Sequence, residues 1–81
     1  MKLIDEHVVR LSHLPVGKKA VIKSHEESEF RLTLMEMGCI EGEPVWVEVI
    51  APMGDPMALH IAGYYLSIRK AEADKIWVTI Q

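Results

Sequence analysis

Two prolines bracket a Met-Gly-Asp step in the run Ala51-Pro52-Met53-Gly54-Asp55-Pro56, and stretches that alternate like strands flank it on both sides. Each proline locks its own φ angle, and Pro56 drives Asp55 toward an extended conformation. Gly54 is free to take a positive φ that a side chain resists. The connection between residues 45–50 and 57–62 is therefore rigid and sharply bent. Further breaks stand at fixed distances from it: Gly38 and Gly42 before, Gly63-Tyr64 and Ile68-Arg69-Lys70 after.

Alternation assigns the strands. Over 19–24, Ala20 and Ile22 take one face and Lys19, Val21 and Lys23 the other, the pattern of a half-buried strand. Val45, Val47 and Val49 alternate with Trp46, Glu48 and Ile50. Past the bend, Leu59 and Ile61 face the core and His60 faces out. Gly63 permits a bulge or a tight turn, after which Tyr64, Leu66 and Ile68 oppose Tyr65 and Ser67. A short helical or 3-10 connection over 69–75 leads to a last strand carried by Ile76, Val78 and Ile80.

One helix interrupts the strands. Ser24 with Glu27 matches a capping box, and Glu26, Glu27 and Glu29 crowd the first turn, where the helix dipole favours them. Phe30, Leu34 and Met37 recur at i, i+4, i+7 and should face the core. Gly38 suits the left-handed residue that ends the helix, with Cys39 packing back on Leu34. Residues 11–17 read as an irregular lead-in stopped by Pro15 and Gly17. Residues 1–10 carry no firm assignment and count as an N-terminal extension ahead of a domain at 11–81. Five short strands with one helix after the first cannot bury so many alternating positions in a flat sheet. A small five-stranded barrel, all-β with one inserted helix, is the expected architecture.

Eighty-one residues make one domain, and nine basic against twelve acidic side chains leave a net charge of −3. That balance counts against a nucleic-acid or anionic-membrane binder. A single cysteine excludes an internal disulfide, and no stretch approaches the roughly 20 apolar residues of a membrane span. The expectation is a cytoplasmic protein with no membrane insertion.

The punctuation as a whole resembles one family. Leu34-Met35-Glu36-Met37-Gly38 with Gly42, the run 51–56, Gly63-Tyr64-Tyr65-Leu66-Ser67-Ile68-Arg69-Lys70, and Ala73, Ile76 and Val78 together resemble the FeoA proteins, small accessories of ferrous iron transport. They also resemble the related domain appended to some metal-dependent repressors. The resemblance covers about residues 11–80. It implies an SH3-like barrel, a part in ferrous iron uptake, and as partner the FeoB-type permease with its cytoplasmic GTP-binding domain. Weak self-association is a further expectation. The family helix commonly carries a basic residue just before the position of Leu34, where this chain has Thr33, with Arg31 two residues earlier.

No catalytic constellation is expected. Cys39 sits at a helix C-terminus, whose dipole raises a thiol pKa, and no phosphate-binding Gly-rich loop is present. No cofactor and no metal site are expected: His7, His13, His25, His60 and Cys39 show no ligand spacing, although His25 and Glu29 would share a helix face. The functional signal is apolar surface that the core does not need. Leu32 and Met35 fall on the helix face opposite Phe30, Leu34 and Met37, and Trp46, Tyr65 and Trp77 alternate away from the inward positions. Exposed aromatics and methionine are enriched at interfaces, so these five are the candidate partner-binding residues. A cover by residues 1–10, or plain shielding of the barrel rim, explains them equally well. Gly38, Gly42, Pro52, Gly54, Asp55, Pro56 and Gly63 are read as backbone-shaping positions, and Arg69 as a pin at the end of its strand. The rival functions are a transition-metal sensor or iron chaperone, a repressor's regulatory domain, which would want a helix-turn-helix that this chain lacks, and a nucleic-acid-binding barrel.

Overall fold

The alternating apolar positions become one face of a single antiparallel sheet in the computed structural model, which describes residues 7–81. Its strands are β1 (Val8–Arg10), β2 (Ala20–His25), β3 (Pro44–Ile50), β4 (Met57–Ile61), β5 (Tyr64–Ile68) and β6 (Ile76–Ile80). Helix α1 (Arg31–Glu36) follows β2, and α2 (Lys70–Ala73) precedes β6. The sheet order is β1-β6-β2-β3-β4-β5.

Six strands are present among the described residues where five were expected. The sixth comes from the stretch left unassigned: Val8, Val9 and Arg10 pair with Thr79, Val78 and Trp77. The remainder of that stretch, residues 1–6, lies outside the described residues. Two bulges bend the sheet, one in β2 between Ile22 and Ser24 and one in β3 between Val47 and Val49. The second reverses the expected facing of the strand end. Val49 turns out to solvent at 55% exposure, while Ile50 packs against the core.

The core is wholly apolar. Ala20, Ile22, Val45, Val47, Leu59, Ile61, Ile76 and Val78 are buried on the inner face, with Leu11, Leu14, Leu34, Cys39 and Ala73 closing over them. Among the described residues no polar or charged residue is buried with them.

The helix begins well after its sequence signature. Ser24 and His25 belong to β2, paired with Trp77 and Ile76, and the ladder continues as Glu26 N–H donates to Lys75 C=O at 2.8 Å. Ser24 therefore caps nothing, and no acidic residue lies in the first turn of α1. The long-range ladder has outcompeted the local cap, and the chain turns into α1 with Ser28 Oγ accepting Phe30 N–H at 3.1 Å. The C-terminal reading holds. Gly38 has φ +108°, Cys39 N–H reaches back to Leu34 C=O at 3.0 Å and Gly38 N–H to Met35 C=O at 3.1 Å, a Schellman closure.

Candidate partner-binding surfaces

Helix α1 stands on the bent sheet, which does not close into the expected barrel among the described residues, through Leu34, which is buried, and through Phe30 and Met37, which are partly so. Its opposite side is open: Leu32 is 68% exposed and, with Met35, lines a shallow groove shared with Glu27, Ser28 and Arg31. Arg31 pairs with Glu27 at 3.0 Å along one wall of that groove, which gives it an apolar floor and a charged rim. The helix end is locked to the β4–β5 hairpin by Tyr64, whose hydroxyl donates to Met37 C=O.

Trp46, His60 and Tyr65 come from three neighbouring strands and meet on the outer face. The Trp46 and His60 rings stack at 4.0 Å and 9°, and Tyr65 meets His60 edge-on at 5.1 Å. Register produces this row directly, since Trp46 pairs with His60 and His60 with Tyr65. Lys19 Nζ lies 5.1 Å from the Trp46 ring centroid, and Trp46 Nε1 donates to Glu48 Oε1 at 3.0 Å. His60, expected to face outward, is the centre of the row.

Trp77 does not join this row. Its Nε1 donates to Glu26 Oε2 at 2.9 Å, and the Arg10 guanidinium lies 4.4 Å over its ring. Arg10 also binds Glu26 at 3.0 Å and Asp74 C=O at 2.7 Å, with Lys75 Nζ at 3.9 Å from Glu26. The Trp77 hydrogen bond, followed by the Arg10 and Lys75 charges, holds the Glu26 carboxyl below its ordinary range. The five candidate residues thus fall in three places: the α1 groove, the Trp46–His60–Tyr65 row, and the Glu26 network.

The bend carries more than shape. Asp55 Oδ1 accepts Lys70 N–H at 2.9 Å, so the 51–56 turn caps α2 from fifteen residues away. Gly54 has φ +88°, and the Asp55–Pro56 peptide is cis. Arg69 donates its backbone N–H to Glu72 Oε1 at 2.7 Å. Its exposed side chain makes no ion pair among the described residues, so the expected pin is the main chain and not the guanidinium.

Cys39 is fully buried, and burial, with the Glu72 charge behind it, pushes its thiol up to about 11. His25 Nε2–H donates to Cys39 C=O at 2.6 Å, since a carbonyl oxygen only accepts. His25 lies in β2, not on a helix, so it shares no helix face with Glu29. Among the described residues no three His, Cys, Asp or Glu side chains gather to hold a metal ion.

A short, strongly bent antiparallel sheet with an apolar interior and a helix set between its first long strands defines an SH3-like β domain. The chain is 37% identical to an FeoA-like protein of Clostridium acetobutylicum, with a TM-score of 0.85 over 91% of this chain and 87% of that one. It is also similar to a Stenotrophomonas maltophilia FeoA solved with zinc and described as a procaryotic SH3 domain protein, at 26% identity and TM-score 0.72 over 88% of this chain and 87% of that one. The FeoA domain model matches residues 9–80, and the chain belongs to the FeoA domain family. An Fe(2+) transport protein A/Fe(2+) transporter FeoB fusion protein of Porphyromonas gingivalis is 38% identical over 73 residues. That match spans 89% of this chain and 9% of the fusion protein's length. No helix among the described residues is long and apolar enough to cross a membrane.

Proposed function

We propose that the chain is a non-enzymatic cytoplasmic accessory of ferrous iron uptake that docks on the GTP-binding domain of a FeoB-type permease. The observation that carries this reading is the Porphyromonas gingivalis relative, in which an FeoA segment and the FeoB transporter share one polypeptide. Fusion gives two modules an effective concentration of order millimolar, so a modest contact suffices there. A separate chain needs affinity of its own, and central apolar anchors usually supply it. Leu32 and Met35 are the leading anchors, because the core makes little use of them. Trp46 and Tyr65 form a second patch, while the Trp77 indole is already engaged by Glu26. Docking changes transport only by favouring one state of the permease over another, so the affinities for its open and closed forms must differ.

The test is a titration of isotope-labelled protein with the permease's soluble GTP-binding domain, in parallel with Leu32→Glu and Met35→Glu. Amide shifts clustered on α1 and roughly tenfold weaker binding by each variant are expected. Binding equal to the parent's by both variants removes the α1 face from the proposal.

A second reading, a metal-binding sensor or iron chaperone, draws on the zinc bound to the Stenotrophomonas maltophilia relative. Ferrous or manganous ion added to the labelled protein separates the two. Shifts confined to one His/carboxylate cluster favour the metal reading, and their absence leaves the docking module.

A further inference from the structure

The two edges of the sheet are unequally protected. The β1 edge is three residues long and ends in Arg10, a charge of the kind that guards exposed edges. The β5 edge, Tyr-Tyr-Leu-Ser-Ile, has no charge, no proline and no bulge against β4.

The register states which backbone groups of β5 point away from the sheet. Ala62 (φ 53°) and Gly63 (φ 87°) form a two-residue hairpin loop with both residues at positive φ, as a type I′ turn requires. Ile61 and Tyr64 therefore exchange both hydrogen bonds, and the alternation of an antiparallel ladder assigns bonded pairs to Leu59–Leu66 and Met57–Ile68 as well. Tyr65 and Ser67 are left with N–H and C=O directed outward. The same alternation places the Val47 C=O on the side of β3 away from β4, where it accepts Gly17 N–H at 2.9 Å. Tyr65 and Ser67 are both exposed.

We propose that the β5 edge is a docking site for the β5 edge of a second copy of this chain, paired antiparallel about Leu66. The strand complements itself in that register. Tyr65 of one copy faces Ser67 of the other as a bonded pair, and the same pair recurs across the two-fold axis, giving four main-chain hydrogen bonds. Leu66, at 9% exposure the least covered core residue, meets its own counterpart on the inner side, and Tyr64 faces Ile68. No like charges oppose each other anywhere in the pairing. A strand shifted by one residue would set outward groups against groups already spent on β4, and a shift by two would keep only one bonded pair within β5, so the register about Leu66 makes the most main-chain hydrogen bonds. The inference stands apart from the permease reading, since it concerns the chain alone.

The interface is far below the size of stable dimers, so a dissociation constant of order 0.1–1 mM is expected. Sedimentation equilibrium of the protein from about 10 µM to about 1 mM should show the average mass rising from 9.2 kDa toward twice that. Over the same range, amide exchange at Tyr65 and Ser67 should slow several-fold while other surface amides do not change. Ser67→Pro removes an outward donor without touching the β4 ladder and should abolish the rise. Ser67→Lys, which keeps the backbone and adds an edge charge, should weaken dimerisation at least about tenfold. A parent that stays at the monomer mass to 1 mM, or dimers that both variants retain, overturns the proposal. So does protection of Tyr65 and Ser67 that arises only when another protein is added.

Discussion

Gly38 shows how much one position can hold. Its φ of +108° is one that side chains rarely adopt, and an added Cβ would lie 3.0 Å from both Ala62 Cβ and Tyr64 Oη. Gly38→Ala combines backbone strain with a forced retreat of the hairpin from α1. A loss of about 1–3 kcal/mol in urea unfolding is expected. Cys39, its neighbour, makes a prediction in pH. Its folded pKa of about 11 exceeds the ordinary 9.0, so the folded state holds the thiol proton more tightly than the unfolded chain does. The associated stability is complete below pH 9 and is lost as pH climbs toward 11. Urea midpoints should fall across that interval, and Cys39→Ala should flatten the fall relative to the parent. The native thiol should also resist alkylation at about pH 8. Both residues were legible in the sequence, because a glycine after an amphipathic run and a small residue behind it describe a local event. The job of Asp55 was not, since its partner lies fifteen residues ahead.

At the scale of elements, α2 is a four-residue helix that could not persist alone. It is held from two sides: Asp55 Oδ1 on Lys70 N–H, and Glu72 Oε1 on Arg69 N–H. Asp55→Ala should cost about 1 kcal/mol, and hydrogen exchange at Asp74, whose amide donates to Lys70 C=O at 2.9 Å, should speed up more than in β2 or β6. Unchanged exchange at Asp74 would show that the turn and the helix are independent. α1 teaches the reverse lesson. Its start departs from the Ser24–Glu27 pattern because that local preference is overridden by β2–β6 pairing that continues to His25. Its end agrees with the sequence because a glycine with positive φ stops a helix whatever lies around it.

For the whole molecule, β1 ties the start of the described chain to its end. Arg10 reaches Glu26 and the Asp74 carbonyl, and Ser12 Oγ hydrogen-bonds the Asp74 carboxylate. Removing residues 1–10 exposes the β6 edge and strips Glu26 of one of its cations. The shortened chain should unfold about 1–3 kcal/mol more easily than the parent, measured by thermal or urea denaturation; an unchanged midpoint would place β1 outside the cooperative unit. The sequence by itself determined which side of β2, β4 and β6 faces the core and where the 51–56 bend and the Ala62-Gly63 turn fall. A period of two and a proline or glycine act through the nearest bonds alone. Only the tertiary structure decided the sixth strand, the reversed facing at Val49 and Ile50, the meeting of Trp46, His60 and Tyr65, and the capture of Trp77 by Glu26. Each of those depends on register between strands or on partners as far apart as 51 residues, and register is settled by the assembled sheet.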